Sequence, residues 1–222
     1  MLPTSPATRK PTRWVGLSQE DRRAERHTLL LDAAFDLLGT EGWAGTTVRA
    51  VCQAARLNPR YFYESFDDLD ALVVAVYDRL VEELGAEVMA AVVEAGDDPR
   101  ARAHAAIGRT VGFVDEDRRR GRVLYVEALG NEALNRRRID TAHLLVGVVE
   151  EGGAEVHGRP AEGERIGRIA AAMLVGGVGE LVVAWLDGRI DVTKEQLVDD
   201  AAELMVVLGE TAANIAAARR RR

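Results

Sequence analysis

Apolar residues in this chain recur at three- and four-residue spacing, and no stretch shows a convincing two-residue alternation or hairpin signal. That rhythm restricts the chain to an all-α fold. Ser18 is a good N-cap for a first helix, with Asp21 at the capping-box position and Leu30, Ala33, Ala34, Leu37 and Leu38 on one face. The glycines between Gly39 and Gly45 end it. Thr46 is expected to cap a second helix, with Val48, Val51, Cys52 and Ala55 as its buried stripe. Asn58-Pro59 opens a third, asparagine as cap and proline at the first helical position. Ser65 or Asp67 starts a fourth that runs to about Ala95. Further helices are expected near 99–115, 117–129, 131–151, 162–187 and 194–218, with Glu151 to Gly163 as a glycine-rich loop.

The 222 residues are enough for a substantial core, and 47% apolar with 29% charged side chains is the balance of a soluble globular protein. The lone Cys52 excludes an internal disulfide framework and fits a reducing, cytoplasmic setting. The first sixteen residues hold Arg9, Lys10 and Arg13 without an apolar run, so they do not read as a secretory signal. Pro3, Pro6 and Pro11 oppose a packed helix there, and residues 1–17 read as a flexible basic arm. Ile169 to Leu186 carries a single charge, Glu180. A central carboxylate and three glycines oppose a membrane span, and a helix buried on two sides in a soluble protein has the same composition. The net charge of −7 is unevenly spread. Residues 1–66 hold nine basic and seven acidic side chains, the remainder twenty and twenty-nine, which hints at separate tasks for the two parts.

The second and third helices are short, amphipathic and separated by about three residues around Arg56-Leu57-Asn58. That is the shape of a helix-turn-helix, whose second helix enters the DNA major groove N-terminus first. Asn58, Pro59, Arg60 and Tyr61 would then meet base edges or phosphate. Arginine forks onto guanine O6 and N7, which makes Arg60 the candidate base reader, although a solvated arginine would look the same. Thr46, Thr47 and Arg49 could hold the DNA backbone, while simple capping also explains Thr46. Four of the eight Phe and Tyr residues, Tyr61, Phe62, Tyr63 and Phe66, fall within six positions. Phe62 and Phe66 are four apart and read as packing residues, whereas Tyr61 and Tyr63 turn to other faces where a phenol can reach phosphate. The basic arm could follow the minor groove or simply be solvated.

The run from Thr47 to Phe66, TVRAVCQAARLNPRYFYESF, resembles the helix-turn-helix signature of the tetracycline-repressor family, without a gap and on through Leu72. The resemblance spans about residues 18–75. The family's turn glycine is Arg56 here, its serine at the start of the recognition helix is Asn58, and its phosphate-touching lysine is Leu69. Arg56 must therefore adopt a conformation that favours glycine, and the Leu69 contact is expected to be missing. The resemblance implies an N-terminal three-helix DNA-binding domain over 18–75 and a larger C-terminal helical domain over 76–222 that dimerises and binds an effector. It implies a repressor of a pseudo-palindromic operator on double-stranded DNA, released by a small molecule. The two late apolar helices could bury a face between subunits, with Gly176, Gly177 and Gly179 allowing close approach. Phe113, Tyr125, His143 and Trp185 could line an effector cavity, and each also reads as plain core.

Other classes fit less well. The four histidines show no zinc spacing, and no nucleophile-elbow or paired-carboxylate signature appears, so no catalysis, metal or cofactor is expected. A phosphate-cradling reading of the glycines needs a preceding strand. A non-specific DNA binder would rest on many phosphate contacts, which the negative net charge and Leu69 oppose.

Overall fold

The computed structural model describes residues 18–157 and 164–221, and among these it is helical with no strand. Ten α-helices follow in order: α1 (Gln19–Thr40), α2 (Gly42–Gly45), α3 (Val48–Ala55), α4 (Pro59–Tyr63), α5 (Leu69–Glu94), α6 (Pro99–Glu116), α7 (Arg118–Gly121), α8 (Glu132–His157), α9 (Glu164–Leu186) and α10 (Lys194–Arg220). The expected basic arm, with Arg9, Lys10 and Arg13, lies outside the described residues.

Local chemistry sets most helix starts. Ser18 and Asp21 form a reciprocal capping box on α1, and Thr193 with Gln196 does the same for α10. Asn58, Asp68 and Asp98 each accept a backbone N–H from the first turn they precede, and Pro59 and Pro99 follow two of those caps. Leu30, Leu31, Ala33, Ala34 and Leu38 form the buried face of α1. They meet Val51, Cys52 and Ala55 of α3, then Phe62, Phe66, Leu72 and Val76. The same apolar cluster continues into α6, α8 and α10 through Ile107, Val111, Phe113, Val114, Leu134, Leu197 and Val198. α5 belongs to both parts, running without a break across residue 75.

Four expectations need correction. Thr47, not Thr46, caps α3: its hydroxyl accepts the Ala50 N–H, while Thr46 is buried with its hydroxyl donating to the Gly42 carbonyl. The link from α1 to α3 is itself a helical turn, α2, entered through Gly42 at φ +75°. The helix expected over 117–129 breaks into α7, a π-helical turn over Arg122–Val126 and a 3₁₀ turn over Glu127–Leu129. The expected loop from Glu151 is helical as far as His157, because the packing of α8 on α9 outweighs the roughly 1 kcal/mol that each interior glycine costs.

Two late helical segments, Arg165–Leu186 and Lys194–Arg219, are long and apolar enough to cross a membrane by length and composition, with mean hydropathies of 2.0 and 1.3. Only 17% and 22% of their apolar windows are buried within the chain, so each presents an open apolar face.

Arg56 ends α3 at φ 55° and ψ 40°, the sole non-glycine residue with positive φ among those described. Left-handed backbone costs an L-residue on the order of 1–2 kcal/mol, partly offset because glycine loses more entropy on folding. Arg56→Gly is expected to raise unfolding stability by about 0.5–1 kcal/mol in urea titration. An unchanged or lower midpoint would show that the Arg56 side chain contributes more than its backbone costs.

Candidate nucleic-acid interface

α3 and α4 meet through Arg56-Leu57-Asn58, and α1 packs across both. Phe62 is fully buried, and Phe66 packs with it at a ring-centre distance of 6.0 Å. These two rings fix the roll of α4 about its axis. Asn58, Pro59, Arg60 and Tyr63 are exposed at the start and along α4, and Thr47 and Arg49 are exposed at the start of α3. Six of the eight candidate contact residues are thus open to solvent in this part of the chain.

The other two stand apart. Thr46 is buried, so its side chain offers nothing to an external partner. Tyr61 is half-buried beneath Arg26, whose guanidinium carbon lies 4.5 Å from the ring centre. Asn58 spends its amide oxygen on the Arg60 N–H at 2.9 Å. Tyr63 is 62% exposed with its ring edge against Phe62, leaving the phenol in solvent. Leu69, where a lysine was lacking, packs partly buried against the core.

One residue of this part of the chain was not singled out from sequence. Glu64 accepts from Arg60 Nε at 2.9 Å and lies 3.7 Å from Arg26 Nη2. Its four-residue spacing from Arg60 was legible, but its contact with α1 was not.

Residues 30–76 match the model of bacterial regulatory proteins of the tetR family. Over these residues the N-terminal head is similar to the regulatory proteins of that family. No curated protein matches the chain. Solved structures match most of the length of the chain. A proposed transcriptional regulator from Pseudomonas aeruginosa PAO1 aligns at TM-score 0.70 and 22% identity, covering 91% of this chain and 97% of its own. A TetR-like transcriptional regulator from Rhodococcus sp. RHA1 aligns at 0.57 and 24%, covering 84% and 94%. The transcriptional regulator FadR from Bacillus subtilis, solved with stearoyl-CoA, aligns at 0.64 and 16%, covering 81% and 97%. At these identities the likeness is one of fold.

Beyond this head, the four candidate effector residues differ in their surroundings. Phe113 is fully buried with Arg120 over its ring, and Trp185 donates its indole N–H to the Val192 carbonyl. Burial pushes the Tyr125 phenol up to about 12. His143 is exposed, so it lines no interior cavity as the chain stands. Among the described residues no three His, Cys, Asp or Glu side chains gather into a metal-holding group.

Behind the recognition helix, His27 stacks on Phe66 at 4.7 Å. Burial, then the nearby Arg23 and Arg79 charges, lower its pKa from the usual 6.5. A histidine with a depressed folded pKa stabilises the fold above the unfolded value and loses that contribution as pH falls below it. Thermal stability should therefore fall between pH 7 and pH 5.5 more steeply in the natural chain than in His27→Gln. Parallel pH profiles for the two proteins would show that His27 does not titrate with folding.

Proposed function

We propose that the chain is a dimeric, sequence-specific DNA-binding regulator of transcription, acting as a repressor that a small-molecule effector releases from its operator. The observation that carries the reading is the exposure of Thr47 and Arg49 at the start of α3 and of Asn58, Pro59, Arg60 and Tyr63 along α4, whose roll is set by buried Phe62 and Phe66. Arg60 reads a guanine edge through its planar fork. Thr47, Arg49 and Tyr63 hold phosphate and set the register of the head on the duplex. In this division of labour residues 18–75 read DNA and residues 76–222 carry assembly and regulation.

Dimerisation is supported by the open faces of the last two helices. Ile169 and Met173 on α9, and Leu204, Val207 and Ile215 on α10, are exposed at helical spacing. Gly176 and Gly177 lie on the same stripe of α9, with nothing within 4 Å of where a Cβ would stand. A second copy can cover such a surface and leave Glu180, on the same stripe, at the wet rim of the contact, whereas a bilayer would have to take that carboxylate into its apolar core. A cytoplasmic location goes with this reading. Two-fold symmetry then presents two α4 helices to half-sites about one helical turn, or a multiple of it, apart.

Effector control is supported by the fold shared with a regulator solved with stearoyl-CoA. Within the body, Tyr125 lies against Gly179, where a Cβ would stand 3.4 Å from its ring. Phe113, Tyr125 and Trp185 remain the candidate lining of an effector site, one that opens only when the ligand binds. Release then follows if the effector prefers a dimer whose heads no longer match the operator spacing.

Selection from a random duplex library with the full chain should enrich a pseudo-palindrome. Arg60→Ala should erase a guanine preference at one position of each half-site, at a cost of about 1–3 kcal/mol there. Binding without enrichment would instead mark a non-specific DNA protein. Met173→Glu should convert the dimer to a monomer in size-exclusion chromatography with light scattering, and weaken operator binding at least tenfold because two-headed engagement is lost. A Met173→Glu protein that stays dimeric would move the interface elsewhere.

A further inference from the structure

Among the described residues, Glu64 is the acidic side chain paired with the candidate base reader. Its carboxylate is divided: Oε1 takes Arg60 Nε at 2.9 Å, and Oε2 faces Arg26 Nη2 at 3.7 Å. Arg26 is only 15% exposed and is itself stacked on Tyr61. Arg23 donates to the Glu64 backbone carbonyl at 3.2 Å. Two arginines of α1 therefore fix Glu64 from behind. On the solvent side the Arg60 side chain is 81% exposed.

We propose that Glu64 is a positioning residue for base recognition, a step that rests on the reading of Arg60 above. The Glu64 contact engages Nε alone. Guanine O6 and N7 are read by the two terminal nitrogens of a guanidinium, Nη1 and Nη2. A carboxylate on Nε orients the plane of the fork and leaves its reading edge open. It also lowers the entropy lost when a free arginine orders on a base. The same negative charge opposes approach of the phosphate backbone, so a duplex lacking the guanine gains nothing in exchange. Glu64 thus raises the difference between correct and incorrect sequences rather than the affinity for DNA as a whole.

The test uses the full chain, the selected operator, operators substituted at the position read by Arg60, and a scrambled duplex. In Glu64→Gln the preference for guanine at that position should fall about tenfold, within the range a bidentate contact supplies. Affinity for scrambled duplex should hold or rise, because a carboxylate has been removed. In the Arg60→Ala background, Glu64→Gln should change no base preference. Unchanged guanine preference in Glu64→Gln would overturn the proposal. So would an equal loss on all duplexes, which means a damaged head, or a change of preference that persists without Arg60. If Arg60→Ala itself leaves preference untouched, the base-reading role fails first and the positioning role with it.

Discussion

The contact on which the rest of the molecule depends is the clasp between the end of α1 and the turn that follows α7. A helix leaves its last carbonyls without partners. Here Arg122 donates to the Thr40 carbonyl at 2.6 Å, reaching across from the body, while its Nε pairs with Glu127 at 2.8 Å. The other Glu127 oxygen accepts the Trp43 N–H at 2.7 Å. The Glu127 side chain is only 11% exposed, so losing Arg122 would leave a nearly buried charge unpaired. In a regular α-helix, residues five apart are rotated by about 140° and do not face one another. The π-helical turn over Arg122–Val126 brings them to the same side, which is a physical reason for that irregularity.

Two close approaches extend the clasp in both directions. A Cβ at Gly39 would stand 2.5 Å from the Arg119 Cβ, so α7 can lie on α1 only because position 39 has no side chain. A Cβ at Gly121 would stand 2.7 Å from the Leu186 Cδ1, at the end of α9. Arg118 also donates to the Leu186 carbonyl, and Arg119 spans Asp36 and Asp117. Packed contacts therefore run without a gap from the apolar helix α9, through α7, to the helix that backs the recognition unit. The effector site and DNA-reading head of the proposed function would need a connection of this kind, and its parts are short, charged and small rather than bulky.

What the sequence made legible follows the range of each interaction. The recognition unit was readable because its signals are local: Asn58-Pro59 as a start, Phe62 and Phe66 four apart, and Arg56 at a glycine position, which indeed adopts a left-handed backbone. The cap of α3 was misplaced by one residue because Thr46 and Thr47 are chemically alike, and only the burial of Thr46 under Gly42 separates them. The π-helical turn, the Arg122–Glu127 clasp and the hold of Arg26 on Glu64 depend on partners some forty to eighty residues apart, which no local pattern encodes. His143 looked like an interior residue because its neighbours are apolar. Those neighbours, Leu144 and Leu145, are themselves exposed, so the local apolar signal marks an open surface of α8 rather than core.

Charge explains why a chain with net charge −7 can still carry a DNA-reading face. Many acidic side chains near the head are already engaged: Asp32 with Arg79, Asp36 with Arg119, Glu64 with Arg60 and Arg26. The same pairing occupies several arginines, and Leu69 turns into the core where a lysine would have reached phosphate. Among the described residues this pairing reduces the cations open to a phosphate backbone, so in the proposed function counterion release at the head contributes less than its arginine count suggests. A head of that kind holds DNA chiefly where its oriented side chains find their partners. Orientation comes from the buried Phe62 and Phe66 rings, from the capped start of α4 and from the clasp that fixes α1 behind it. Under the proposed function, selectivity is then a property of rigid placement more than of electrostatic attraction.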